Sequence, residues 1–195
     1  MSEATSKHSR IDPHRLRNYY ALRALFSVGW VVAAFLVGRS LSPVTGALLV
    51  AYPAWDALAN LYDARWNGGL KANPTQAFNA VVSAIVTVAV VVALRTDVHA
   101  VFAVFGVWAS LAGILQLATG IRRWRGVGAQ WPMILSGAQS GLAGVIFVKR
   151  AIDGQVVPTA ADIAPYAAFG ALYFALSAMV LAVSAARAPR AIVNG

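Results

Sequence analysis

The chain has 195 residues, 59% of them hydrophobic and only 12% charged, with a mean hydropathy of +0.65. A soluble domain carries about 25% charged residues, so this composition argues against an ordinary water-soluble domain and for lipid as the solvent. Cysteine is absent, which removes disulfides, thiolate catalysis and cysteine metal sites together.

Residues 1–18 are polar and basic and are expected to form a disordered arm. Six apolar runs follow, at 19–38, 43–63, 77–94, 98–121, 131–148 and 165–186. Each has roughly the 17 to 25 residues that cross a hydrocarbon core. The first run follows basic residues as a signal peptide would. No small-x-small cleavage site ends it, and VGRSLSP leads directly into the next run, so it reads as a retained helix. The connections are short and carry turn or charged residues: GRSLSP, ARWNGGLKANP, RTD, RRWRGVGAQ and the longer KRAIDGQVVPTAAD. A soluble helical bundle would need polar stripes on its surface helices, and most of these runs have none. The expected fold is an all-α polytopic membrane protein of six transmembrane helices.

The net charge of +9 first suggests nucleic acid. Placement decides otherwise. Of the sixteen cations, only Arg39, Arg95, Lys149 and Arg150 fall on the side of the odd-numbered loops. The other twelve lie in the N-terminal arm and Arg23, the loops with Arg65, Lys71, Arg122, Arg123 and Arg125, and the tail (187–195) with Arg187 and Arg190. The positive-inside rule then puts both termini in the cytoplasm. Trp66, Trp124, Trp131, Tyr19 and Tyr20 fall near the expected interfaces, as an aromatic belt would. The partners this implies are the bilayer and anionic lipid at its cytoplasmic face; no nucleic-acid role is expected.

The runs also repeat. A shift of 56 residues carries Tyr52, Asp56, Asn60 and Asp63 onto Trp108, Ala112, Gln116 and Thr119, and a further 65 onto Tyr173, Ser177, Leu181 and Ser184. Among the odd runs, Arg23 and Ser27 align with Asn79 and Ser83 and then with Ser136 and Ser140, at steps of 56 and 57. This predicts three tandem two-helix hairpins, about 19–66, 77–123 and 131–187, related by an axis along the membrane normal.

One stretch needs a reason to exist in a bilayer. In YPAWDALANLYDAR, residues 52–65, Asp56, Asn60 and Asp63 form one helical stripe. Asp63 is expected to be interfacial and solvated. Asp56 lies on the order of 10 Å deep by helical rise, where an unpaired charge is costly. If the first hairpin turns near residues 40 and 41, Arg23 comes level with Leu58, between Asp56 and Asn60. An Arg23–Asp56 pair with an Asn60 hydrogen bond is therefore expected. Such a pair can fix helix register, or it can serve a proton- or solute-linked function. Gln116, Thr119, Ser177 and Ser184 read as interhelical hydrogen-bonding groups. Ser136, Ser140 and Gly144 form a small-residue ridge with Gly137 and Gly141 beside it. That ridge suits close backbone packing inside the bundle or against another protomer in a homo-oligomer.

His8 and His14 lie outside the six runs and His99 at the outer end of the fourth, so no cofactor or metal site is expected. No pair of carboxylates and no Ser/His/Asp set suggests catalysis, and an enzyme is not expected.

The motifs YYALRALFSVGW, YPAWDALANLYDARWNGG, WASLAGILQLATGIRRW, GAQWPMILSGAQSGLAGVIF and PYAAFGALYFALSAMVLAV together resemble the short-repeat bacterial membrane proteins that include HdeD. The resemblance implies a six-span inner-membrane protein and, for HdeD itself, an association with acid resistance. The family's repeat has no known function, so no site residues transfer. Three function classes follow: an HdeD-like protein of acid or envelope stress tolerance, a small proton- or solute-linked transporter or channel using Asp56, and a membrane scaffold.

Overall fold

In the computed structural model, residues 13–123 and 131–187 are described. The N-terminal arm through residue 12, the loop 124–130 with Trp124 and Arg125, and the tail from residue 188 with Arg190 lie outside the described residues. So do the side chains of Gln116, Thr119, Arg122, Arg123 and Trp131.

Every described element is helical: α1 Pro13–Val37, α2 Pro43–Trp66, α3 Pro74–Thr96, α4 Ala100–Arg123, α5 Trp131–Asp153 and α6 Ala160–Arg187. Local chemistry sets the ends. Pro43 opens α2 behind the N-cap Ser42, whose hydroxyl accepts from Thr45 N at 3.2 Å; proline suits the first helical position because its missing N–H would be unpaired there anyway. α2 stops at Asn67, followed by Gly68 and Gly69 at φ +97° and +91°, a conformation that glycine adopts without a Cβ penalty. α6 starts five residues earlier than the apolar pattern suggests. Thr159 N and Thr159 Oγ1 both donate to Asp162, at 3.0 and 2.7 Å. That arrangement satisfies the N-cap N–H as a capping box does, and Pro165 is left inside the helix.

Three helices, α1 (from His14), α3 and α6, are long and apolar enough to cross a membrane by length and composition. α2 is as long but carries Asp56, Asn60 and Asp63. The outward faces are apolar: Leu25 is 71% exposed, Leu36 75%, Ile85 62% and Leu142 62%. Apolar surface on that scale marks contact with lipid or protein rather than water.

α1 packs chiefly on α6, α2 on α3 and α4 on α5, while α1–α2 and α3–α4 touch more lightly and α5–α6 least. The helices thus close a ring in chain order, with α2 also reaching α6 across it. Neighbours run antiparallel: Trp30 Nε1 donates to Leu48 O at 2.8 Å, and Ala161 N donates to Gly38 O at 3.1 Å where the end of α1 meets the start of α6.

The core fills one half of the ring. Leu49, Phe105 and Ile163 are fully buried, as are Ala34, Val90, Val101 and Phe102. Phe102 stacks on Phe147 at 6.0 Å between centroids, and Phe147 meets Tyr166 edge-on at 6.1 Å. Edge-to-face and offset rings at such distances add to the area they bury.

Candidate functional site: a polar cavity inside the ring

The other half of the ring holds a cavity of about 260 Å³ to which all six helices contribute. Its polar wall includes Arg23, Asp56, Asn60, Asn79, Ser83 and Gln139, and its apolar wall is mostly aromatic, with Trp55, Trp108 and Phe174. This half of the interior is polar while the outer face is apolar, unlike a soluble bundle.

Asp56 is the centre of the polar network. Arg23 of α1 forms an ion pair with its Oδ1. Asn60, one turn along α2, donates to Oδ2 at 3.0 Å and to the Asp56 backbone carbonyl at 2.8 Å. Ser83 of α3 donates its hydroxyl to the same Oδ2 at 2.7 Å. The carboxylate is therefore held from three helices. Arg23 also donates to Tyr19 Oη at 3.0 Å, and its guanidinium lies over the Phe174 ring at 4.1 Å. A cation over an aromatic face in a desolvated site is a favourable contact. Arg23 Nε and Trp55 Nε1 are buried and have no acceptor among the described residues.

The site's second layer consists of hydroxyl–aromatic pairs. Ser27 lines the wall beside Tyr52, and Ser140 beside Tyr166. Tyr52 meets the Trp108 ring edge-on at 6.0 Å and the Trp30 ring at 4.7 Å. No lining residue lies beyond Tyr52, Trp108 and Tyr166. There the dry core of Leu49, Phe105 and Ile163 begins, so the cavity is blind at that end.

These contacts fix the register of the last helix. The innermost lining residues on the even helices are Tyr52, Trp55 and Asp56, then Trp108, Leu111 and Ala112, then Tyr166, Phe169 and Gly170, with Asn60, Leu115, Tyr173 and Phe174 lining further along. On the wall, the α6 residue that goes with Tyr52 and Trp108 comes 58 residues after Trp108, where the sequence alignment expects 65. The residue matching Tyr52 and Trp108 is Tyr166; Tyr173 sits about two turns further along. Ser177 is not a lining residue, and its hydroxyl donates within α6 to the Tyr173 carbonyl at 2.8 Å. The odd helices keep steps of 56 and 57, with Arg23, Asn79 and Ser136, and Ser27, Ser83 and Ser140, all on the wall. Asn79 and Ser136 thus stand where Arg23 stands, and Ala112 and Gly170 where Asp56 stands.

A family model of a short repeat of unknown function (DUF308) matches residues 78–149, from α3 through most of α5. No curated protein and no solved structure matches the chain.

Two other expected features lie elsewhere. Asp63 is 9% exposed, buried rather than solvated, because Asn67 Nδ2 donates to its Oδ1 at 2.7 Å. The small-residue ridge of α5 is used inside the ring. Gly137 and Gly144 lie against Gly113 and Gly106 of α4, so closely that a Cβ on Gly113 would meet Gly137 O at 2.6 Å. The partners Gly106 and Gly113 escape a search for polar stripes, although their seven-residue spacing places both on one face of α4. Among the described residues, no group of three His, Asp or Glu could hold a metal ion.

Proposed function

We infer that this is a non-enzymatic, multi-pass membrane protein whose central cavity takes up a small polar solute that carries no net charge. One observation carries the reading: a charge-balanced polar cavity, with two buried donors lacking acceptors, inside a ring whose outer face is apolar.

The pair sets the solute class. Arg23 and Asp56 cancel, and the carboxylate oxygens are engaged by Arg23, Asn60 and Ser83. A charged solute would add an uncompensated charge where desolvation is expensive. A neutral or zwitterionic molecule with hydrogen-bond acceptors can satisfy Arg23 Nε and Trp55 Nε1 and rest on the aromatic wall. Among the described residues, no second carboxylate and no histidine lines the cavity with Asp56, which favours binding or passage over catalysis.

Matching steps in the wall residues and the pairing of α2 on α3, α4 on α5 and α6 on α1 favour three tandem hairpin units spanning the membrane six times. Orientation follows charge. Lys149 and Arg150 are paired with Asp153 and Asp162, at 2.7 and 3.2 Å, so that end has little unbalanced positive charge. Both termini then face the cytoplasm of a bacterial inner membrane, and the cavity lies in the cytoplasmic half. The blind end implies a protein that changes conformation to pass a solute, rather than an open pore.

Solute uptake into vesicles reconstituted with the chain tests this directly. A saturable flux of small neutral solutes, lost on Asp56→Asn or Ser83→Ala with folding retained, is expected; no flux and no binding of any neutral or zwitterionic solute overturns it. The motif resemblance to HdeD-like proteins adds acid or envelope stress as the physiological setting. A deletion strain with unchanged survival at low pH removes that setting without touching the cavity.

A further inference from the structure

A second hollow lies outside the ring, between α1 and α2. It is an apolar slot of about 410 Å³, walled by Leu22 of α1 and by Trp55, Leu58, Leu61 and Tyr62 of α2. It faces the surroundings: Leu22 is 50% exposed, Leu58 61% and Tyr62 54%. α1 and α2 pack lightly here, which leaves the slot open to the side.

The slot's rim is cationic. Arg65 is a lining residue and exposed, and among the described residues no carboxylate pairs with it. Trp66 closes the same end, with the Arg15 guanidinium over its ring at 5.6 Å. From Arg65 to Trp55 is ten residues of helix, about 15 Å, which is half of a hydrocarbon core about 30 Å thick.

We propose that this slot is a binding site for one anionic phospholipid, with an acyl chain between α1 and α2 and the headgroup at Arg65. Length, polarity and charge agree on that occupant. The slot has the depth of a single leaflet, its walls are predominantly apolar with the polar atoms of Arg23 and Trp55 at its inner end, and its mouth offers a cation where the headgroup phosphate sits. A neutral lipid would fill the slot but leave Arg65 uncompensated. The assignment does not depend on what the central cavity carries, although Arg23 and Trp55 line both hollows, so a bound chain would end against the wall of the polar cavity.

Native mass spectrometry of the purified full chain, incubated with equal amounts of phosphatidylglycerol and phosphatidylcholine of identical chains, tests the assignment. One phosphatidylglycerol is expected to be retained several-fold over phosphatidylcholine. Arg65→Gln should abolish the preference, leaving equal retention of the two lipids. Leu58→Trp or Leu22→Trp, from opposite walls, should lower retention of both. Val107→Trp, on an exposed part of α4, should change nothing. Melting temperatures of the variants report folding, and the two slot-filling variants guard against loss of either one. Equal retention by the wild type, a preference that survives Arg65→Gln, or a mass of two chains with no lipid, showing a second protomer in the slot, would each overturn the proposal.

Discussion

Arg23 and Asp56 face each other across α1 and α2 as an ion pair in the wall of the central cavity, with side chains only 13% and 19% exposed. Removing one partner of such a pair leaves the other charge uncompensated, at a cost of about 3–5 kcal/mol. Arg23→Leu and Asp56→Leu should each lower the melting temperature and the yield of folded protein in detergent. The double variant should recover much of the loss, because two apolar groups can pack without desolvating a charge. A double variant as poor as the summed singles would show that the pair contributes nothing.

Ser83 should matter more than its size suggests. Its hydroxyl is the contact from α3 to Asp56, at 2.7 Å, and hydrogen bonds to charged groups are worth about 1.5–3 kcal/mol. Ser140, its counterpart on α5, faces the neutral Tyr166, and a hydrogen bond between neutral groups is worth only about 1 kcal/mol. Ser83→Ala should therefore lower the melting temperature more than Ser140→Ala. Equal shifts would mean that Ser83 does not support the charge.

The pair was legible in the sequence because two antiparallel helices joined by a short turn bring level those positions whose numbers share a constant sum. Arg23 with Asp56, and Ser27 with Tyr52, both sum to 79. Ser83 was not legible as a partner of Asp56, since it arrives from the next hairpin and nothing local to α2 specifies that approach. The register of α6 was misread for a related reason. Tyr173 offers the same residue type as Tyr166, and the longer connection before α6 hides which tyrosine is level with Ser140. The Thr159–Asp162 box carried the missing signal, as it starts the helix at Ala160 rather than at Pro165. Asp63 looked solvated because its partner, Asn67, lies just past the helix end, where an apolar pattern carries no information.

The α4–α5 seam makes a selective prediction about glycine. A Cβ at Gly113 would sit 2.6 Å from both Gly137 O and Gly141 N, whereas one at Gly141 meets nothing within 4 Å. Gly113→Ala should force the two backbones apart and cost about 1–3 kcal/mol, as overpacking does. Gly141→Ala should be neutral or slightly stabilising, because alanine favours helix. If both variants melt together, α4 and α5 do not pack along this seam.

Topology can be read with single cysteines in a chain that has none. Lys71 and Gln155 are both exposed, on the loops after α2 and after α5. With the termini in the cytoplasm, an impermeant thiol reagent applied to intact cells should label Gln155→Cys and spare Lys71→Cys until the membrane is opened. The reverse pattern would invert the protein and place the cavity in the outer half of the bilayer.

The blind end of the cavity gives the last prediction. Leu49, Phe105 and Ile163 have no exposure, and one comes from each even-numbered helix. They lie just past the layer of Tyr52, Trp108 and Tyr166, where lining by polar groups stops. If this layer is what separates the cavity from the far side, thinning it should connect the two. Leu49→Ala removes a buried side chain at a cost of about 2–5 kcal/mol, and the space it leaves adjoins a polar cavity. Water can enter such a space because polar partners lie within reach. Vesicles carrying Leu49→Ala should therefore leak small neutral solutes faster than wild-type vesicles, without saturation. The same substitution at Leu25, 71% exposed on the outer face of α1, should leave permeability unchanged. A folded Leu49→Ala protein as tight as wild type would show that the barrier extends beyond this layer, through Ala34, Val90 and Phe147.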